Sequence, residues 1–191
     1  MINPKDDSYN LFDGDDELFK SYIKDADLYF EYGVGKSTEW VLENTKSIII
    51  AVDSDLNWIN SIKNIEVYKE RLKTTWVDLG KLTKWGRPIS YSHRDNFINY
   101  INAIWQFDKN PDIVLIDGRF RVACFLYTLL QADKNTVIFF DDYINRPWYH
   151  IVEEVIPINN QCGRQGMFQV PKTFNKKLAK DILDKFIYVL D

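Results

Sequence analysis

Short, strongly apolar runs recur along the chain, and most are followed by a stretch whose apolar positions return every three or four residues. The strand-like runs are 27–32 (DLYFEY), 47–52 (SIIIAV), 72–77, 112–116 (DIVLI) and 136–140 (TVIFF), with further ones near 167–170 and over 186–190. Helical spacing covers 37–44, 55–63, 93–105, 121–131, 147–155 and 175–183. Ser37 and Thr38 suit a helix opening, Asp55 suits a cap, and Pro147 sits in a first turn, where a missing N–H costs nothing. Residues 9–23 read as a helix that covers a site or docks beside it, so 1–26 is expected to be a helical extension of one domain, 1–191.

Strands this apolar are buried on both faces, and their alternation with helices predicts an α/β, doubly wound, mostly parallel sheet. Ligands of such sheets sit at the carboxyl ends of the strands. Here those ends carry chemistry: a glycine turn after 27–32, then Asp53, Asp78, Asp117, and Asp141 with Asp142.

Composition narrows the class of partner. The chain has 191 residues, 46% hydrophobic and 27% charged, which is ordinary for a globular enzyme. A net charge of −4 argues against a broad electrostatic grip on nucleic acid. No apolar run approaches the ~20 residues of a membrane helix, and the polar, acidic start resembles no signal or transit peptide. Cys124 and Cys162 lack a CxxC partner and read as reduced thiols, so a cytoplasmic setting is expected.

Residues 31–38 read EYGVGKST, and the turn they form admits two kinds of ligand. GVGKST is like the end of a phosphate-binding loop, but that loop needs a glycine at residue 30, where Phe30 stands. Glu31 would also set a carboxylate among phosphate oxygens. DIVLID and VIFFDD are nevertheless similar to the Mg-holding strand of P-loop enzymes, so ATP or GTP is the rival ligand. S-adenosylmethionine, a sulfonium and ammonium cation, suits the acidic residues better. Gly33 and Gly35 permit a sharp turn and close approach. Glu31 is expected to face the cationic methionine end, Asp53 to accept from the ribose hydroxyls, and Asp78 to meet the adenine amino group. Ser37 and Thr38, at a helix N-terminus, are expected to hold the ligand carboxylate. The plainer readings are a tight turn for the glycines and a helix cap for Asp53. VDSD (52–55) also matches the DxD of metal-binding glycosyltransferases, though it falls where a ribose carboxylate belongs.

With these residues the chain resembles the class I S-adenosylmethionine-dependent methyltransferases: EYGVGKST looks like their first motif, with Ser37 at the usual third glycine, and AVDSD like their second. KWGRP (84–88), DIVLIDGRFRVAC (112–124) and FFDDYINRPWYH (139–150) look like a methyltransferase-like group. A strand-end Asp followed later by DDY is similar to macrolide-sugar O-methyltransferases of the macrocin and mycinamicin type. The resemblance implies a seven-stranded Rossmann-like sheet, a divalent metal, and a sugar or glycan acceptor.

If the strands ending at Asp117 and at Asp141–Asp142 are neighbours, as that resemblance implies, their ends lie ~4.8 Å apart. Carboxylates so close repel one another unless a cation joins them, and an all-oxygen set suits Mg²⁺. Asp117, Asp141 and Asp142 are therefore the expected metal ligands, and Asp117 and Asp142 are counted as catalytic, with the metal lowering the pKa of an acceptor hydroxyl. The alternative pairs Asp117 with Arg119 or Arg121, and Asp142 with Arg146. His150 is the expected general base, with His93 the other candidate. Arg119, Arg146, Trp148 and Tyr149 are candidates to line an acceptor pocket, and KLTKWGRPIS (81–90) to form a lid. The expectation is an enzyme that methylates a small-molecule or glycan hydroxyl. The alternatives are a nucleotide-binding protein and a non-catalytic methyltransferase-like module.

Overall fold

Each of the five strongest apolar runs forms a strand in a computed structural model that describes residues 10–12, 14–62 and 65–191. Residues 1–9 of the expected extension, Asp13, and the expected helix end at Lys63 lie outside the described residues. The five strands are β1 (Leu28–Tyr32), β2 (Ile48–Asp53), β3 (Leu72–Trp76), β4 (Ile113–Ile116) and β5 (Val137–Phe140). They are parallel and lie in the order β3-β2-β1-β4-β5. β6 (Asn160–Cys162) and β7 (Gln165–Gln169) form an antiparallel hairpin that completes a seven-stranded sheet, with β7 against β5.

Alternate residues of each central strand enter different cores, as the period of two requires. Phe30, Ile50, Val114 and Ile138 join one core, packed under α5 (Phe97–Asn102), α6 (Arg121–Gln131) and α7 (Lys176–Phe186). Tyr29, Ile49, Ile113 and Val137 join the other, under α1 (Glu17–Ile23), α2 (Lys36–Asn44) and α3 (Leu56–Ser61). A short α4 (Ile65–Tyr68) precedes β3. Phe19 fastens α1 to the sheet, its ring edge-on to Phe139 with centroids 5.3 Å apart. Fully burying such a ring contributes roughly 1.5–3 kcal/mol. Among the described residues no helix is long and apolar enough to cross a membrane.

Four expectations change. The helix expected over 9–23 is confined to α1, with residues 10–12 and 14–16 outside any helix. Residues 186–190 are not a strand: α7 runs to Phe186, and the Ile187 N–H still donates to the Leu183 carbonyl at 3.0 Å. Leu178, Ile182, Leu183, Phe186, Ile187 and Leu190 all meet the α6 core, so this apolar run continues a helical stripe. The seventh strand is the polar β6 at the sheet edge, which carries no apolar signature. Residues 147–155 form a 3-10 stretch, Pro147–Glu154, whose buried residues Tyr149 and Val152 are spaced at the 3-10 period.

Candidate active site

The turn after β1 is built by what crosses it. Gly33 has φ 96°, and a Cβ there would lie 3.0 Å from the Asp117 carbonyl carbon and the Gly118 nitrogen, so the two strand-end turns touch backbone to backbone. A Cβ at Gly35 would meet nothing within 4 Å, because that side opens into a cavity. Asp53, 7% exposed, takes the Val34 N–H on one oxygen at 2.8 Å and the Asp55 N–H on the other at 2.7 Å. Burial raises its pKa, against the lowering effect of those N–H donors. Asp55, not Asp53, caps α3, accepting from Asn57 N at 2.9 Å.

The cavity, about 790 Å³, opens along the carboxyl ends of the parallel strands. On the β1–β2 side its wall includes Gly33, Gly35, Ser37, Asp53 and Trp58, with Trp85 stacked on Trp58 at 6.0 Å. Trp85 belongs to the 81–90 loop, which doubles back through a Leu82–Pro88 bridge and is tied down where Ser54 donates to the Gly86 carbonyl at 2.9 Å. On the β4–β5 side the wall includes Asp117, Arg119, Arg121, Asp142, Arg146 and Arg164.

Asp117, Asp141 and Asp142 do meet, with ligand atoms within 4.8 Å of one another. Arginines supply the counter-charge. Arg121 contacts Asp117 at 2.9 Å and Asp142 at 3.1 Å; Arg146 contacts Asp142 at 2.7 Å. Arg164 covers both oxygens of the fully buried Asp141, at 3.0 and 2.6 Å, and reaches Asp142 at 3.2 Å. Three guanidiniums thus set three positive charges against the three carboxylates. The set as folded fits arginine and does not fit Mg²⁺, because an ion placed there would stand against three cations within hydrogen-bonding range of its own ligands. Burial, and then the charge of Asp141, lift the Asp117 pKa well above the usual carboxylate range, while Arg121 opposes the rise.

No protein-family model matches the chain, and neither does any curated protein. Among solved structures, a methyltransferase-like protein from Silicibacter pomeroyi DSS-3 is 30% identical, with a TM-score of 0.78 over 90% of this chain and 92% of the other. The chain belongs to the methyltransferase-like family. An O-methyltransferase from Bacillus cereus, solved in complex with SAH, shares the fold at 14% identity, with a TM-score of 0.53 over 81% of this chain and 78% of that one.

The other expected residues of this methyltransferase-like chain divide. Ser37 lines the cavity, whereas Glu31 and Thr38 lie fully buried beneath it: Ser37 and Thr38 both donate to the Glu31 carboxylate, Thr38 at 2.7 Å, and Gly35 N donates to the Thr38 hydroxyl at 3.0 Å. Glu31 therefore braces the turn from below and does not face the cavity. Asp78 is not on the wall either; it accepts from Gly80 N at 2.8 Å and lies 3.5 Å from His93. His150 is a further correction. Its Nε2 is engaged with the Tyr143 carbonyl at 3.0 Å and its ring lies tilted against that of Tyr143, with centroids 4.6 Å apart, so it is packed away from the cavity. Trp148 and Tyr149 also miss the wall, whereas Arg119 and Arg146 line it. Trp58, Arg164 and Asp191 were not anticipated. Only Arg164 had a legible signal, the Gly163-Arg164 turn between polar residues, where Gly163 has φ 55°.

Proposed function

We propose that the chain is an S-adenosylmethionine-dependent O-methyltransferase that acts on a hydroxyl of a small, hydroxyl-rich acceptor such as a sugar or glycan. The observation that carries this reading is the open, Cβ-free cradle at Gly35 with Asp53 beside it, at the carboxyl ends of β1 and β2 in a methyltransferase-like fold. The relative solved with SAH has the same fold. Bound there, S-adenosylmethionine would supply an electrophilic methyl group. Gly33 and Gly35 would let the backbone approach it, and Asp53 would accept from its ribose hydroxyls. Asp117, on the wall, would take the proton of the acceptor hydroxyl, and Arg121 and Arg146 would hold Asp117 and Asp142 in register. No step runs through Mg²⁺.

Nucleotide chemistry is disfavoured at the same turn. The Ser37 hydroxyl, which a phosphate-binding loop would turn to a metal, donates to Glu31, as does that of Thr38. The two free cysteines suit a reducing compartment. The deciding experiment is calorimetric titration with S-adenosylmethionine, ATP and GTP on the native chain and on Asp53→Ala. Binding of S-adenosylmethionine alone, weakened about tenfold or more in the variant, is expected; unchanged affinity in the variant overturns the ribose assignment.

A further inference from the structure

We propose that the cavity end beside α6 is an acceptor subsite for a carboxylate, and that Asp191 fills it as an internal stand-in. The proposal rests on reading the cavity as a methyl-transfer site and names the acceptor class: a hydroxylated compound bearing a carboxylate, such as a sugar acid.

The N-terminus of α6 opens on this end, and no side chain of its own caps it, since its N-cap is Phe120, held at φ 54°. The cap comes from far along the chain. Asp191 sets one carboxylate oxygen on the Phe120 N–H at 2.7 Å and the other on the Arg121 N–H at 3.1 Å. Two adjacent donors, each meeting one oxygen, match the planar fork of a carboxylate, and the helix dipole favours its charge. Arg119 completes the pocket, its Nη1 donating to the Asp191 main-chain oxygen at 2.6 Å.

An independent observation points to a missing partner. Arg119 is 8% exposed and lines the cavity, yet its buried Nε–H has no hydrogen-bond partner. Arg121, Arg146 and Arg164 are engaged by Asp117, Asp141 and Asp142, whereas Arg119 makes no ion pair with those carboxylates. A buried guanidinium donor without an acceptor is costly, and a ligand carboxylate larger than the Asp191 side chain could reach it. The site also adjoins the expected methyl donor: Gly118, next to Arg119, is the residue whose nitrogen a Cβ on Gly33 would approach to 3.0 Å. A carboxylate held here would anchor an acceptor with its hydroxyls toward Asp117.

The test is calorimetric titration of the full chain, saturated with SAH, with D-glucuronate, D-glucose and inorganic phosphate as probes. Glucuronate is expected to bind, glucose about tenfold or more weakly, and phosphate more weakly than glucuronate. Asp191→Ala, a change at a half-buried residue in irregular structure, should tighten glucuronate about tenfold by removing the internal competitor. Arg119→Gln should weaken it. Equal affinity for glucuronate and glucose, no change in Asp191→Ala, or competition between SAH and glucuronate overturns the subsite; tighter phosphate overturns its carboxylate class. If glucuronate binds as described but SAH does not bind at all, the subsite stands and the methyl-transfer reading falls.

Discussion

Glu31 has no exposure, and its carboxylate holds the hydroxyls of Ser37 and Thr38, with burial lifting its pKa to about 7 against the lowering effect of those donors. A carboxyl whose folded pKa lies above its unfolded value of 4.5 binds the proton more tightly in the native state. Its contribution is whole below that value and is lost as pH rises through about 7. Urea unfolding from pH 5 to 8 should therefore show a loss of about 3 kcal/mol from this group, and Glu31→Gln should flatten that slope. Gly118 gives a steric counterpart: a Cβ there would lie 2.1 Å from the Tyr100 hydroxyl, which accepts from Arg119 N. Gly118→Ala should cost about 1–3 kcal/mol in urea unfolding and disturb the α6 end of the cavity. At this scale residue types were legible and directions were not. EYGVGKST identified a glycine turn with a carboxylate beside it, but whether Glu31 points into the cavity or beneath it depends on α2, whose first turn turns two hydroxyls onto it.

Among the elements, the β6–β7 hairpin pairs a polar edge strand with a buried one, and its turn delivers Arg164 to both Asp141 and Asp142. Arg164→Ala would leave Asp141, at zero exposure, without its bidentate partner, and should destabilise the fold by about 3–5 kcal/mol. Arg164→Lys should recover part of this as a point charge, although it cannot make the paired contact; the urea midpoints of the two variants separate these contributions. Central strands announce themselves because both faces are buried, whereas an edge strand such as β6 offers no apolar run to find. The opposite ambiguity arose at 186–190, a run of strand-like composition of which Phe186, Ile187 and Leu190 extend the packing of α7 while Tyr188 and Val189 are exposed. Short apolar runs look alike in either element, and the packing of α7 on α6 resolves this one.

For the molecule as a whole, the cavity wall carries more basic than acidic side chains, and the charge that decides the chemistry is the balance among them. Because arginines already neutralise the three strand-end carboxylates, methyl transfer should proceed undiminished in EDTA, measured with labelled S-adenosylmethionine; a loss restored by Mg²⁺ would show that a metal displaces the guanidiniums. S-adenosylmethionine at a hundredfold excess over its dissociation constant should stabilise the native state by about 2.7 kcal/mol, seen as a raised unfolding midpoint with or without Mg²⁺. The sequence by itself determined the parallel sheet, its alternating helices and the acidic strand ends, because each follows from local periodicity and from the few residues that can end a buried strand. Only the tertiary structure decided which cation answers those acids, which histidine is packed away, and that Asp191 closes the start of α6. Arg164 with Asp141, and Asp191 with Phe120, join positions distant along the chain and leave no mark in the local order of residues. The nearer pairs, Arg121 with Asp117, Arg146 with Asp142 and His150 with Tyr143, are open to local reading but are settled only by packing.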